Sequence, residues 1–349
     1  MLIPILSSLL AISAIAAAVP QGNRPRLAPK LPLSDFNTTK FFQPITLEEA
    51  LEGARNDKTA EPEPAEFSMG IMATCANPRV RTEWHSATTD MRRAYVNAIR
   101  CLLGRAPSGN FRGATNRYED AVALHQSLTP NVHGNHKFLL WHRYYLWAFE
   151  DMLRGECGYT GSLLWFDESV YAGRFSQSSV FSNDYFGAVN LGGNCVTNGA
   201  FAGLTLNIGP GTSNRPHCLA RNEDNTKTAN TNAQIVDACN RRTSYADMAS
   251  CSEGGAHAWG HNGIGAVMQD TYGSPGDPVF WLHHAWIDRN FRIWQNADQS
   301  RYTYIDGTDR AGNPLTLDMG ISLNGLRRDV RIRDVINTLE ETMCYKYSY

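Results

Sequence analysis

The sequence predicts a mainly α-helical protein, a central helical bundle with long loops and a few short strands. Three observations carry that expectation. Several stretches repeat apolar side chains at intervals of three and four residues, the spacing that lines up one face of a helix. A run from about Gly155 to Asp247 is instead rich in Gly, Asn and Ser, which suits long loops and short strands laid over one side of a helical core. A length of 349 residues, 42% of them hydrophobic, is enough for one large core and excludes a mainly disordered or collagen-like chain.

In chain order, residues 1–18, MLIPILSSLLAISAIAAA, are apolar and uncharged and end in three alanines, the pattern of a secretory signal peptide cut after Ala18. Residues 19–66 follow as an N-terminal arm or pro-segment, marked by Pro20, Pro25, Pro29, Pro32 and Pro44. Within it, Thr46-Leu47-Glu48-Glu49 has capping-box spacing and opens a short helix to about Arg55. The main domain spans 67–349.

Its helices are expected over Thr88–Leu103, with Met91, Tyr95, Ile99 and Leu102 on one face, and over Asn116–Leu128, with Tyr118, Ala121, Val122, His125 and Leu128 aligned. A long aromatic helix covers Phe138–Arg154, and two more lie near 255–268 and 280–295.

Charge removes one class of partner. The 32 Lys and Arg face 34 Asp and Glu, a net charge of −2, so no concentrated basic surface suits nucleic acid. Beyond residue 18 no stretch reaches the roughly 20 apolar residues needed to span a membrane. All 8 cysteines lie past the leader, and none has thiolate-metal spacing. An even number in an oxidising compartment reads as disulfides, and a secreted, extracellular protein is expected.

The 10 histidines fall mostly into two windows. His125 sits on the apolar face of its helix, His133 in the following loop, and His142 on the core stripe of WHRYYLWAFE. In the second window His257 and His261 are one turn apart in HAWGH, and His283 and His284 open the helix of DPVFWLHHAWIDR. A buried imidazole needs partners for its ring nitrogens, since an unsatisfied polar group costs about 1–3 kcal/mol. Two sets of three imidazoles, with no Cys, Asp or Glu at ligand spacing, suit Cu, Zn, Fe or Ni. Structural zinc usually closes its shell with thiolates, and the Glu of a zinc-protease HExxH is missing, because Ala258 follows His257.

These residues resemble a known family. His125, His133-Gly134-Asn135 and Phe138 through Tyr145 look like the first copper motif of tyrosinases and polyphenol oxidases. His257 through His261, Ser274-Pro275-Gly276-Asp277-Pro278 and Phe280 through Arg289 resemble the second, and the short secreted fungal members look most similar. The resemblance covers about 69–294 and implies two copper ions per chain, one on His125, His133 and His142 and the other on His257, His261 and His284. It sets His283 beside the ligands, Phe280 against the site, and Asp277 and Asp288 in supporting roles. It also implies an oxidase that uses O2 to turn o-diphenols into o-quinones.

Two departures matter. No Cys lies between 102 and 156, which excludes the thioether some members carry next to a ligand histidine. The family's Pro-Tyr-Trp-Asp-Trp segment reads here Leu164-Trp165-Phe166-Asp167-Glu168, keeping only Asp167 and the aromatic character. Ala258 and Asn262 stand where the family's residues linked to monophenol hydroxylation occur; Ala258 cannot orient a proton, Asn262 could hold a water and Glu253 is a nearby carboxylate candidate, and that activity is expected to be weak or absent. Tyr272 is expected at the pocket border. The other readings are an o-aminophenol oxidase of a biosynthetic pathway and a non-catalytic O2- or copper-binding protein.

Overall fold

The computed structural model describes residues 28–37, 43–57 and 75–349. The segment 1–18, expected to be a signal peptide, lies outside them, as do 19–27, 38–42 and 58–74. The described part is helical, with α1 (Leu47–Asn56), α2 (Thr89–Gly104), α3 (Arg117–Val132), α4 (Phe138–Cys157), α5 (Asn225–Thr228), α6 (Ala233–Asn240), α7 (Tyr245–Ser252), α8 (Ala258–Ile264) and α9 (Val279–Asn296). Strands form four two-stranded pairs among the described residues, all short. No described helix is long and apolar enough to cross a membrane.

Local chemistry sets most helix ends. Thr46 caps α1 with the reciprocal Glu49 contact, Thr88 caps α2, and Asn116 caps α3 by accepting from Glu119 N. Helix α3 runs one turn beyond the expected Leu128, through Pro130 to Val132, so that His133 is its C-terminal cap rather than a loop residue. Helix α4 ends at Gly158, whose φ of 64° is the left-handed cap that glycine adopts without strain.

The glycine-rich stretch differs from expectation. It holds the short helices α5 and α6 and the start of α7, tied by the Cys239–Cys251 disulfide. Each begins on Asp224, Asn232 or Ser244 as cap, polar residue types that also mark loops, and each is too short to show a periodic apolar pattern. The single helix expected near 255–268 is broken as well. A π turn at Glu253–His257 leads into α8, Gly265 at φ 70° stops it, and a 3-10 turn at Ala266–Gln269 follows.

The core is the pairing of α4 with α9, flanked by α2 and α3. The rings of Phe149 and Trp281 stack at 3.5 Å across it. Beneath them lies a buried charge network: Arg143 Nε donates to Asp288 Oδ1 at 2.6 Å, Arg81 Nε to Glu150 Oε2 at 2.9 Å, and the Tyr347 hydroxyl to Asp288 Oδ2 at 2.6 Å. Burial alone would raise the Asp288 carboxyl, but Arg143 and Arg81 hold it below the usual carboxylate range. Tyr345 and Tyr347 belong to the terminal strand Tyr345–Tyr347, which pairs in parallel with Arg79–Arg81, so both ends of the domain meet under α9.

The described parts of the arm lie against this body. Helix α1 packs on α6, Ile45 N donates to Gly254 O at 2.8 Å, and Trp259 Nε1 donates to Ile45 O at 2.7 Å. Cysteines pair as 75–344, 101–157, 195–218 and 239–251, with none free.

Candidate metal centre

Two groups of histidines meet between the α3–α4 and α8–α9 pairs. In each group, one nitrogen per residue lies within 4.8 Å of the others: His125, His133 and His142 in the first, and His257, His261, His283 and His284 in the second. All seven are buried. The two groups touch: the rings of His142 and His284 stack at 4.5 Å and 14°. Phe280 bridges them, 4.0 Å from the His284 ring and 5.4 Å from that of His125.

Six of the seven imidazoles are aimed by what their Nδ1 meets, and His284 Nδ1 is buried with no hydrogen-bond partner. His133 donates to Thr129 O at 3.1 Å, His142 to Phe138 O at 2.9 Å and His257 to Glu253 O at 3.0 Å, in each case the carbonyl four residues back. His125 reaches Tyr272 O at 3.0 Å and His261 reaches Met268 O at 2.7 Å. A hydrogen on Nδ1 leaves the Nε2 lone pair as the metal-facing donor. Nε2 of His125 and of His142 is buried with no hydrogen-bond partner, and Nε2 of His261 and His284 approach to 3.1 Å. Two lone pairs that close repel unless a proton or a cation sits between them.

Burial pushes all seven imidazoles below their ordinary value, to about 4 for His125 and about 3 for His283, and neighbouring imidazoles push His133, His142, His257, His261 and His284 further down. Neutral imidazoles are the form a metal takes. An all-nitrogen donor set with converging Nε2 atoms therefore fits two soft-to-borderline transition-metal ions.

The neighbouring residues fall as follows. Ala258 is buried at the start of α8, and Asn262 is buried one residue past His261 with its Oδ1 lacking a hydrogen-bond partner. Tyr272, expected at the pocket border, is half-buried and serves the site through its backbone oxygen. Asp277 makes a two-bond ion pair with Arg221 at 2.7 and 2.8 Å and accepts from Val279 N, which fixes the start of α9. Glu253, pushed up to about 8 by burial, accepts from Gly134 N at 2.9 Å and so ties the second window to the loop after His133.

His85, His136 and His217 stay outside both groups with ordinary partners, His85 between Glu83 and Ser178, His136 on Thr308, and His217 on Arg215 O. Sequence reasoning missed Glu168, which lies 2.7 Å from His283 Nδ1. The only signal was a carboxylate in an otherwise aromatic segment.

A helical bundle closing on two imidazole clusters defines a dinuclear metal protein. Residues 115–297 match the family model for the common central domain of tyrosinase, and the chain belongs to the tyrosinase family. It is 27% identical to Tyrosinase P of Aspergillus terreus, covering 78% of this chain and 93% of that one. It is 28% identical to N-acetyl-6-hydroxytryptophan oxidase ivoB of Emericella nidulans, over 78% and 92%. A polyphenol oxidase from Thermothelomyces thermophila, solved as a point mutant, superimposes with a TM-score of 0.70 at 26% identity, over 87% of this chain and 96% of the other. The protein is thus a tyrosinase-type dicopper protein whose cofactor is a pair of copper ions.

Proposed function

We propose that the chain is a secreted oxidase that uses O2 to oxidise o-diphenols to o-quinones, two diphenols and one O2 giving two quinones and two waters. One copper is assigned to His125, His133 and His142, and the other to His257, His261 and His284. The observation that carries this reading is the shared build of five of these six imidazoles, each with Nδ1 committed to a backbone carbonyl, which makes Nε2 the lone-pair nitrogen. Bound copper supplies the redox chemistry with O2. The protein supplies neutral ligands at fixed spacing, and Phe280 packs its ring against both groups. Residues 67–349 form the catalytic domain in this reading, preceded by the 19–66 arm and the cleaved 1–18 leader.

Hydroxylation of a monophenol needs a group that takes or orients the phenolic proton. Ala258 has none, Asn262 is a neutral amide and the nearby carboxyl of Glu253 is engaged by Gly134 N, which supports diphenol oxidation as the main activity. A second reading is supported by the relative named for N-acetyl-6-hydroxytryptophan: oxidation of a phenolic or o-aminophenolic intermediate in a biosynthetic pathway. Metal analysis with a panel of catechol, tyrosine and o-aminophenol separates them. Two coppers and fast catechol turnover with slow tyrosine turnover are expected; preference for the aminophenol favours the second reading. Oxygen binding without catechol consumption would leave an O2- or copper-binding protein.

A further inference from the structure

The second histidine group holds a feature that the first lacks. Four imidazoles gather there, and the fourth, His283, is the one in either group whose Nδ1 meets a carboxylate rather than a carbonyl. His283 and Glu168 are both wholly buried, with Nδ1 and Oε1 2.7 Å apart. The His283 ring stands 4.7 Å from His261 and 5.1 Å from His284. Its Nε2 and the second oxygen of Glu168, Oε2, have no hydrogen-bond partner.

Packing presses this pair against the ligand helix. A Cβ placed on Gly260, between His257 and His261, would lie 2.5 Å from His283 Cε1 and 2.7 Å from Glu168 Oε2, so glycine is what lets α8 close on the pair. The charge balance is also unusual. Asp277 is matched by Arg221, and Asp288 by Arg143 and Arg81, whereas among the described residues Glu168 has no Arg or Lys partner. Burial, with Asp167 adding to it, pushes its carboxyl well above the usual range. A carboxylate at this depth is stable only beside a compensating positive charge. The metal held by the imidazoles that His283 touches would supply one.

We propose that Glu168 is a positioning residue for the second copper: it fixes the orientation of His283 and places a carboxylate one imidazole away from that ion's ligands, stabilising copper(II) there over copper(I). The inference rests on the ligand assignment above. It gives the change at this point of the family's aromatic segment a specific role, an electrostatic one on one copper of the two. The imidazole transmits the orientation, and the carboxylate supplies the charge.

The test is a one-electron reductive titration of the copper-loaded, full-length protein, followed by absorption and electron paramagnetic resonance, with copper content measured alongside. Glu168→Gln keeps the shape of the side chain and removes the charge. The expected result is two coppers per chain and a raised midpoint for one of them. At a fixed potential the copper(I) to copper(II) ratio at that ion should rise about tenfold, which is about 59 mV for a one-electron couple.

A double variant, Glu168→Leu with His283→Leu, removes both polar partners together and so avoids leaving one buried and unpaired. It should show the same upward shift if the single variant does not fold. Unshifted midpoints and spectra in a folded variant with two coppers overturn the role of Glu168 alone. Fewer than two coppers in the unsubstituted protein overturns the ligand assignment itself.

Discussion

The two histidine groups reach the same kind of arrangement by different means. The first stands on two long, continuous helices, and both His133 and His142 are aimed by the carbonyl one turn back on their own segment. The second stands on a helix interrupted by a π turn and stopped at Gly265, and it depends on Glu168, far away in the chain, against His283, and on the bare face of Gly260 within α8 that admits the pair. Both groups mix the two means, since His125 of the first leans on distant Tyr272 O and His257 of the second on its own Glu253 O, but only the second adds a distant side chain, Glu168. The second group has more places where one substitution does damage.

The largest effect expected is on ligands. His261→Ala should lower copper from two per chain to one and abolish diphenol turnover, with the first group intact. Metal analysis decides, and two retained coppers with full activity would mean the site is misplaced. Next comes Asp288→Ala, which leaves Arg143 buried without its anion and Arg81 with Glu150 alone. A loss of about 3–5 kcal/mol in denaturant unfolding is expected.

That loss has a pH dependence. Because the folded Asp288 carboxyl is held below its ordinary value, its stabilisation is complete above the ordinary carboxylate range and fades as pH falls through the lowered folded value. The gap between the parent and Asp288→Asn should therefore narrow in acid, and a gap that widens there would contradict it.

Smaller effects separate the two groups more finely. Gly260→Ala forces a methyl group against His283 and should cost about 1–3 kcal/mol, with copper lost from the second group first. Equal loss from both groups would erase the difference between them. Tyr272→Phe should leave copper content unchanged, because His125 uses the backbone oxygen of that residue. His85→Ala, outside both groups, should leave copper content and turnover as they were.

By itself the sequence determined the long helices and which histidines share a helix face. Thr46, Thr88 and Asn116 cap helices where capping chemistry places them, and a four-residue spacing put His257 and His261 on one face. These are local relations, written within one or two turns of chain. Only the tertiary structure decided which cysteines pair, that His125 leans on Tyr272 from 147 residues away, and that Glu168 reaches His283 across 115. Periodicity cannot encode such contacts, because each depends on the path of the chain between the partners. The Glu in the altered aromatic segment was visible as a departure, and its role was decided by where α9 and Gly260 came to lie.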